Sequence, residues 1–390
     1  MNKTNLLRPA GIRKKTGVAV SDTKTLNNLG YPVSAKYCRN SSQKASQTGM
    51  TLVEIMISLL IGAFLLGGVL QIFVNTKQTY RMQEGLSRLQ ENGRYALELI
   101  GHDTRMSGYT GCGSLSSITP NINAQPPITI FSSATAVNGH NAGASTWSPT
   151  LSATMVALAP TSGTDILTLE YGQSCDAQLT GNMTAENANI QVTAPNNCGI
   201  SASSCGGASG ECTTGSVLMI SDCTGTDIFR ATSASSGGTI QTVAHSNAVN
   251  TSNFLSKAYQ DDAELMLFNS HTYFVRPGAS GQPALWRLDN TRIASATNPL
   301  EYVEGIENIQ VLYGEDTNQD RAANQYVTAN NVGNWANIVS VRISLLARSI
   351  DDNLTAQPVD YTYNGATVTP ADRRLRRVFN STIAVRNRLP

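Results

Sequence analysis

The chain has 390 residues, long enough for one large domain or two smaller domains with a hydrophobic core. Only 14% of its residues are charged, whereas about a quarter is usual in soluble domains. Residues 1–49 contain nine Lys or Arg and one Asp, so this segment carries +8, and the remainder must carry −7 to leave the net charge of +1. An acidic remainder argues against nucleic acid as the main partner, because binding to its phosphate backbone needs clustered Lys and Arg.

An apolar run of twenty residues, 55–74, follows the basic segment. In a helix this run spans about 30 Å, the thickness of the hydrocarbon core of a bilayer. The apolar core of an ordinary secretory signal peptide is shorter, about 7–15 residues, and an A-x-A-like cleavage site follows it, which is missing here. The basic residues in front predict that the segment 1–49 stays in the cytoplasm while the rest is exported. An ordinary single-span anchor would have the same hydropathy.

The start of the apolar run carries a carboxylate, Glu54, within the sequence TGMTLVE of residues 48–54. A carboxylate costs about 2.5 kcal/mol or more at the centre of a bilayer, less near its edge, and it calls for a partner. Cleavage after Gly49 would create a new α-amine at Met50. That cation would pair with Glu54 of a neighbouring copy when such helices stagger in a bundle, so the pattern predicts a processed helix that associates with others.

The sequence GMTLVE before an apolar helix resembles the class III signal of type IV pilins and type II secretion pseudopilins. In that family prepilin peptidase cuts after the glycine, the new N-terminal residue is N-methylated, and the fifth mature residue is a glutamate used in assembly. The resemblance therefore implies cleavage after Gly49, an N-methylated Met50 and an assembly carboxylate at Glu54. The chain departs from the family pattern in having Met50 where phenylalanine is usual, and its leader is long for the family.

Beyond residue 74 the pattern becomes amphipathic and predicts that one helix continues from about residue 51 to residue 107 and stops at Gly108. Its apolar stripe recurs at steps of three and four and consists of Met82, Leu86, Leu89, Gly93, Ala96, Leu97 and Ile100.

Several segments resemble minor pilins of the PilW type, and they lie at residues 77–80, 89–96, 105–112, 304–314, 341–346 and 375–379. Two of them, 304–314 and 341–346, also resemble the J-type minor pseudopilins of type II secretion. Residues 113–260 match no pattern of either family.

Six cysteines lie beyond the apolar run, whereas Cys38 lies in the basic leader. An even set on the exported side suits disulfides formed in an oxidising compartment. No C-x-x-C spacing is present, which weakens a zinc or redox interpretation, and the 15 pairings that six cysteines allow remain open. The disulfide candidates are Cys112, Cys175, Cys198, Cys205, Cys212 and Cys223.

The exported part reads as a series of strands, several of them alternating apolar and polar residues. The predicted strands are 166–171, 217–221, 264–268, 272–276, 284–288, 306–313, 338–347 and 378–385. A long helix followed by strands predicts a pilin-like α+β fold, in which an antiparallel sheet covers the amphipathic stripe and the head carries a disulfide-bearing insertion. The expected divisions are a leader (1–49), a transmembrane or filament-core helix (50–76), an amphipathic helix (77–108) and a β-rich head (109–390). The charge-free stretch between Arg105 and Asp165 reads as surface loops and short strands.

One loop offers candidate metal ligands, because Asp316, Asn318 and Asp320 place oxygens at positions 1, 3 and 5 of a calcium loop. Arg321 and Val327 stand where an EF-hand loop needs glycine and glutamate, and an Asx-rich turn explains the residues equally well. Apart from this calcium candidate, the sequence predicts no cofactor.

The head shows no sequence motif of a hydrolase or of a phosphate-binding enzyme, so we expect no enzymatic activity and no small-molecule substrate. The remaining basic cluster, Arg373, Arg374, Arg376 and Arg377, suits an acidic partner or DNA or, more often, a solvated strand face.

The resemblance implies a minor pilin that takes part in type IV pilus assembly as a priming or tip subunit, with motility and adhesion as consequences. It implies a single-pass inner-membrane protein with a periplasmic head that enters the pilus. Its expected partners are other minor and major pilins, the inner-membrane assembly platform and prepilin peptidase. A type II secretion minor pseudopilin and a membrane-anchored periplasmic enzyme are the alternatives.

Overall fold

The computed structural model describes residues 49–128, 130–205 and 212–388. The predicted leader therefore lies outside the described residues except for Gly49, as does Cys38. The chain divides into two compact units, residues 1–65 and residues 66–390.

The helix α1 (Leu52–Met106) begins one residue after Thr51, whose Oγ1 accepts a hydrogen bond from the Glu54 backbone N–H at 3.3 Å. This bond satisfies one of the backbone donors that a helix N-terminus leaves without an intrahelical partner. Among the described residues, α1 is the one helix long and apolar enough to span a membrane, and no residue of its most apolar stretch is buried. The single apolar helix predicted from the sequence is thus present with nearly the expected bounds.

The end of α1 is fixed by glycine and by a distant side chain. Gly108 adopts φ +79°, a conformation that glycine enters without steric cost. The Asn387 side-chain N–H₂ donates to the carbonyl oxygens of Arg105 (3.2 Å) and Met106 (3.0 Å). These carbonyls lack intrahelical partners, so a residue near the other end of the chain completes the helix.

The head contains short and long strands and one short helix, α2 (Ala153–Ala157). In chain order the strands within the described ranges are β1 (Asn121–Ile122), β2 (Val137–Ala142), β3 (Trp147–Ser148), β4 (Ile166–Gln178), β5 (Ile190–Thr193), β6 (Ser204–Cys205), β7 (Cys212–Thr214), β8 (Val217–Ser221), β9 (Thr226–Arg230), β10 (Ser233–Gly237), β11 (Ile240–Ala244), β12 (Glu264–Pro277), β13 (Pro283–Asp289), β14 (Leu300–Glu304), β15 (Ile306–Glu315), β16 (Gln325–Val327), β17 (Ile338–Arg348), β18 (Tyr361–Tyr363), β19 (Ala366–Val368) and β20 (Arg376–Ala384). Single 3₁₀ turns occupy Ala329–Asn331, Trp335–Asn337 and Arg386–Arg388. Each predicted strand overlaps one of these elements, but several bounds differ. The strand predicted at 166–171 continues to Gln178 in β4, two predicted strands form the single strand β12, and the last strand, β20, begins two residues earlier and ends one residue earlier than predicted.

Two sheets dominate the head. The large sheet has the order β1-β9-β8-β12-β4-β2-β3, with β13 paired to β12 and β14 paired to β13. β12 pairs with β4 on one edge, and on its other edge it pairs first with β8 and then with β13. The four-stranded sheet has the order β16-β15-β17-β20 and is antiparallel throughout. A three-stranded sheet, β10-β11-β5, and the hairpins β18-β19 and β6-β7 are smaller.

The second part of α1 shares one hydrophobic core with both large sheets. Leu89, Ala96 and Ile100 of the helix belong to the same buried cluster as Leu345 of β17 and Tyr273 of β12. The prediction that a sheet covers the amphipathic stripe is therefore confirmed. At the start of the stripe, however, the covered face of the helix differs from the predicted one.

Three glycines of α1 lie where other parts of the head approach the helix. A Cβ at Gly85 would meet the Leu354 side chain, whereas the predicted stripe members Met82 and Leu86 are 38% and 39% exposed. The predicted stripe included Met82 and Leu86 because they are apolar, and it left out Gly85. The covered face at this level consists of Gly85, which leaves room for the chain around Leu354.

The six cysteines beyond the apolar run form three disulfides, which join Cys112 to Cys223, Cys175 to Cys198 and Cys205 to Cys212. The first spans 111 residues and ties the chain just after α1 to the strand region of β8 and β9. The second lies in a separate buried cluster that includes Phe229 and Tyr259. Residues 113–260 thus have a core of their own in addition to their cross-links.

The interpretation of the charge-free stretch between Arg105 and Asp165 as surface is wrong in part. Phe131 is 2% exposed and packs edge-to-face on Phe268 of β12 at 5.1 Å between ring centroids. Val137 is fully buried in the core shared with α1. The stretch lacks charges because part of it is interior.

We predict that Gly93→Ala destabilises the head although alanine is the better helix former by about 1 kcal/mol. A Cβ at Gly93 would overlap the ring of Phe379 on β20, and such overpacking costs about 1–3 kcal/mol. Thermal unfolding of the full chain should show a lower Tm for Gly93→Ala.

Gly101→Ala is the matched control for this substitution, because its Cβ would lie 3.4 Å from Ile383 Cδ1, an ordinary contact. It should leave the Tm unchanged or raise it. The Gly93→Ala loss should shrink in a Phe379→Leu background. Equal Tm losses for both glycines would contradict the proposed close approach.

Candidate processing and assembly site

The predicted processing position lies at the exposed start of α1. Gly49 and Met50 are exposed and precede the helix, and Met50 is 64% exposed. Glu54 lies in the first turn, where a carboxylate is favoured by the positive end of the helix dipole. The spacing of Thr51 and Glu54 is that of a capping box, in which the glutamate side chain bonds back to the backbone N–H of the capping residue.

Only half of that capping box forms. The Thr51 hydroxyl accepts from the Glu54 N–H, and the Ser58 hydroxyl donates to the Glu54 carbonyl oxygen at 2.7 Å. Both bonds use the backbone of Glu54. Within the described residues the Glu54 carboxylate has no hydrogen-bonding or ionic partner, so it is free to meet a cation from outside its own chain.

A second carboxylate of α1, Asp103, has the opposite environment. It is only 3% exposed, because it follows the covered positions Ala96 and Ile100 at helical spacing and so lies on the same face of the helix. Its Oδ2 accepts from His271 Nδ1 (2.7 Å) and from the Tyr273 hydroxyl (2.7 Å).

The other oxygen of this carboxylate is also occupied. Asp103 Oδ1 accepts from the Tyr171 hydroxyl at 2.7 Å and lies 3.1 Å from His102 Nδ1. Tyr171 belongs to β4, and His271 and Tyr273 belong to β12. One buried side chain near the end of α1 therefore binds the two central strands of the large sheet.

The pKa values of this cluster follow from burial and hydrogen bonding together. Burial by itself would raise the pKa of Asp103, but the hydrogen bonds and charge of His271 and the hydroxyls of Tyr273 and Tyr171 hold it well below its usual range. Burial, and then the Asp103 charge, raise the pKa of Tyr171 and Tyr273. The aspartate is thus ionised and both tyrosines remain hydrogen-bond donors. The sequence held a signal for this site: Asp103 is an acidic residue three positions after Ile100, where the apolar stripe would continue.

The basic cluster near the chain end is not a free surface. The Arg376 side chain is 5% exposed and binds Glu307 through Nε (2.7 Å) and Asp372 through Nη1 (2.6 Å). The hydrogen bonds from Arg376 lower the pKa of Asp372 to about 2. Arg374 Nη1 donates to the Ser349 carbonyl oxygen at 3.1 Å. The interpretation of this run as a site for an acidic partner or as a solvated face is therefore wrong for Arg376, whose charge is used inside the head.

The candidate calcium loop forms an Asx-rich turn. Asp316 is buried, and its carboxylate accepts from the backbone N–H groups of Gln319 (2.6 Å), Asp320 (3.2 Å) and Arg321 (2.8 Å). Asn318 Nδ2 donates to Asp320 Oδ2 at 3.0 Å. Across the described ranges, no group of three or more His, Cys, Asp or Glu side chains is placed to hold a metal ion. Calcium binding here stays a prediction that requires Asp316 to exchange backbone donors for the ion.

Two family models match the chain. The prokaryotic N-terminal methylation motif matches residues 44–70, and the type IV pilus-assembly protein W family matches residues 272–387. The first match contains Gly49, Met50 and Glu54. The second runs from within β12 to the last 3₁₀ turn and so contains the four-stranded sheet that packs on α1. Neither a curated protein nor a solved structure matches the chain.

An N-terminal methylation motif at the start of an exposed apolar helix, followed by a sheet-rich head, defines a membrane-anchored pilin. The chain is a PilW-type minor pilin with a class III signal. It takes part in type IV pilus assembly. Residues 71–271 lie outside both matches, including the segments 77–80, 89–96 and 105–112 on which part of the resemblance rested.

We predict that Asp103→Asn lowers the free energy of unfolding by about 1.5–3 kcal/mol, the range for hydrogen bonds to charged groups. The folded-state pKa of Asp103 lies below the unfolded value, so its contribution is present above about pH 4 and is lost as the pH falls further. The difference between wild type and variant should therefore be largest near neutral pH and shrink below pH 4.

Glu98→Gln is the matched control, because it removes an exposed carboxylate from the same helix. Chemical denaturation of the full chain in detergent, followed by near-UV circular dichroism, measures both variants. We expect a change within about 0.5 kcal/mol for the control. A difference for Asp103→Asn that stays constant from pH 7 to pH 2 would contradict the ionised, hydrogen-bonded aspartate.

Proposed function

We propose that this minor pilin primes or tops the type IV pilus after cleavage following Gly49 and N-methylation of Met50. One observation carries the proposal: Glu54 begins an exposed apolar helix with its carboxylate unpartnered in the described residues. An unpaired carboxylate in a bilayer or filament core is unfavourable until a cation neutralises it. The α-amine that processing creates at Met50 of an adjacent subunit is such a cation.

The partners follow from this mechanism. Prepilin peptidase would cleave the chain, and other minor and major pilins would supply the paired amine or carboxylate within the filament. The inner-membrane assembly platform would receive the chain, which is anchored in the inner membrane with its head in the periplasm before assembly. The excess of positive charge in residues 1–49 supports this orientation.

A tip or priming position suits the size of the head. Twenty strands follow α1 in the described ranges, and residues 113–260 build an additional core with two of the three disulfides lying wholly within it. A head of this bulk is harder to repeat along a thin filament than to place once at its end. Motility and adhesion would then depend on the chain through pilus assembly. The match to a pilus-assembly family favours this function over a secretion pseudopilin.

We predict that Gly49→Val abolishes processing. A peptidase that cuts after glycine needs a residue without a bulky side chain at that position, so the variant should accumulate as the full-length precursor. Mass spectrometry of the mature N-terminus should show methylated Met50 for the wild type and for Ala45→Val, a leader control away from the cleavage position. A wild-type chain that begins elsewhere than Met50 would refute the processing step.

We predict that Glu54→Ala leaves cleavage intact and lowers piliation strongly. The Thr51 cap uses the Glu54 backbone N–H, so the helix start survives the substitution. Glu54→Gln should behave in the same way, because the charge is the feature proposed to act. Counting surface pili by electron microscopy, with N-terminal mass spectrometry in parallel, separates assembly from cleavage.

The matched control is Glu91→Ala, which removes an exposed carboxylate from the same helix in its head-bound part. It should leave piliation near the wild-type level. Normal piliation in Glu54→Gln would remove the role assigned to this carboxylate.

A further inference from the structure

The head contains an open cavity of about 790 Å³ against one face of the large sheet, and its lining shares no residue with the candidate processing and assembly site. Pockets of about 300–1,000 Å³ are the size that holds small organic ligands. Its walls come from the segment around α2 and from the turn after β13, and its floor comes from strands. The residues that the argument uses are Asn138, His140, Thr154, Thr168, Thr272 and Asn290.

The floor is a row of side chains across adjacent strands. In the register of the sheet, Asn138 of β2 pairs with Thr168 of β4, and Thr168 pairs with Thr272 of β12. Directly paired residues point to the same face of a sheet, and neighbouring strands lie about 4.8 Å apart. The row therefore presents an amide and two hydroxyls at regular intervals over roughly 10 Å of cavity floor.

Part of the hydrogen-bonding capacity of this floor is unused. Asn290 Nδ2 donates to Thr272 Oγ1 at 2.9 Å, and Thr272 Oγ1 lies 2.8 Å from Thr168 Oγ1. Asn290 Oδ1 and the whole Asn138 amide have no partner in the part of the chain that the structure describes. His140 Nδ1 donates to the Pro149 carbonyl oxygen at 2.7 Å, and its Nε2 has no partner in the described residues. Both donors and acceptors thus face the cavity.

The charge of the cavity selects the kind of ligand. Among its described lining residues only Arg292 carries a full charge, and Asp289 Oδ2 neutralises it through Nε (2.9 Å) and Nη2 (2.8 Å). A charged ligand would lose hydration here without gaining a counter-ion, which is costly. The lining also includes the apolar side chains of Leu151, Met155 and Leu288, so a ligand must present carbon-bound hydrogens as well as hydrogen-bonding groups.

We propose that this cavity binds a neutral saccharide. A saccharide carries several hydroxyls that both donate and accept, and its ring has an apolar C–H face. Its hydroxyls can address Asn138, Thr168 and the free oxygen of Asn290 together, while the C–H face lies on Leu288 and Met155. The head of this minor pilin is thereby a carbohydrate-binding module, a role separate from the assembly role of α1.

The test uses the full chain in a detergent without a sugar headgroup, applied to an array of neutral glycans and their sialylated counterparts. We expect binding to at least one neutral glycan without a requirement for sialic acid. Asn138→Ala should weaken that binding at least tenfold by removing the unpartnered amide. Thr154→Trp, at an exposed position on the cavity rim, should block entry without disturbing the fold.

Asn330→Ala, an exposed asparagine remote in sequence from the cavity residues, is the matched control and should bind as the wild type does. Circular dichroism and piliation counts should be unchanged in all three variants. Absence of binding to every neutral glycan overturns the proposal, as does binding restricted to sialylated glycans. Binding that persists in both Asn138→Ala and Thr154→Trp places the ligand elsewhere and also overturns it.

Discussion

The structure depends on how the carboxylates of one helix are satisfied. Asp103 is buried and accepts hydrogen bonds from two tyrosines and a histidine of the large sheet, so it attaches the end of α1 to the head. Glu54 begins the same helix with no partner for its carboxylate in the described residues. Desolvation penalises both charges. For Asp103 the chain compensates that penalty internally, and for Glu54 the proposed compensation comes from another subunit.

Several charged side chains of the head are buried and bind residues from distant segments of the chain. Arg376 joins Glu307 and Asp372 while almost fully buried. Arg230 is fully buried, donates through Nε to the Gln125 carbonyl oxygen at 3.0 Å, and has its pKa lowered to about 10 by burial. A chain with only 14% charged residues thus places several of them inside. Because removing one partner of a buried charge is costly, these contacts specify which segments meet.

The two family matches and the rest of the chain contain different parts of the structure. The matched C-terminal region contains the four-stranded sheet that covers α1, and the matched N-terminal region contains the residues proposed for processing. The cavity proposed to bind a saccharide combines Thr272 and Asn290 from the matched region with Asn138 and Thr168 from outside it. Both parts of the chain therefore contribute to the proposed binding site.

The sequence predicted features that depend on nearby residues, but it did not predict contacts between distant segments. The apolar run, the GMTLVE motif and the strand periodicity predicted α1, its terminus at Gly108 and the strands, because each depends on neighbours within a few residues. The offset stripe at Gly85, the three cysteine pairings and the burial of Phe131 depend on partners many residues away. Asp103 shows the difference most clearly. The sequence shows that it continues the apolar stripe three residues after Ile100. Only the packing of α1 against β4 and β12 supplies the two tyrosine hydroxyls and the imidazole that stabilise its buried charge.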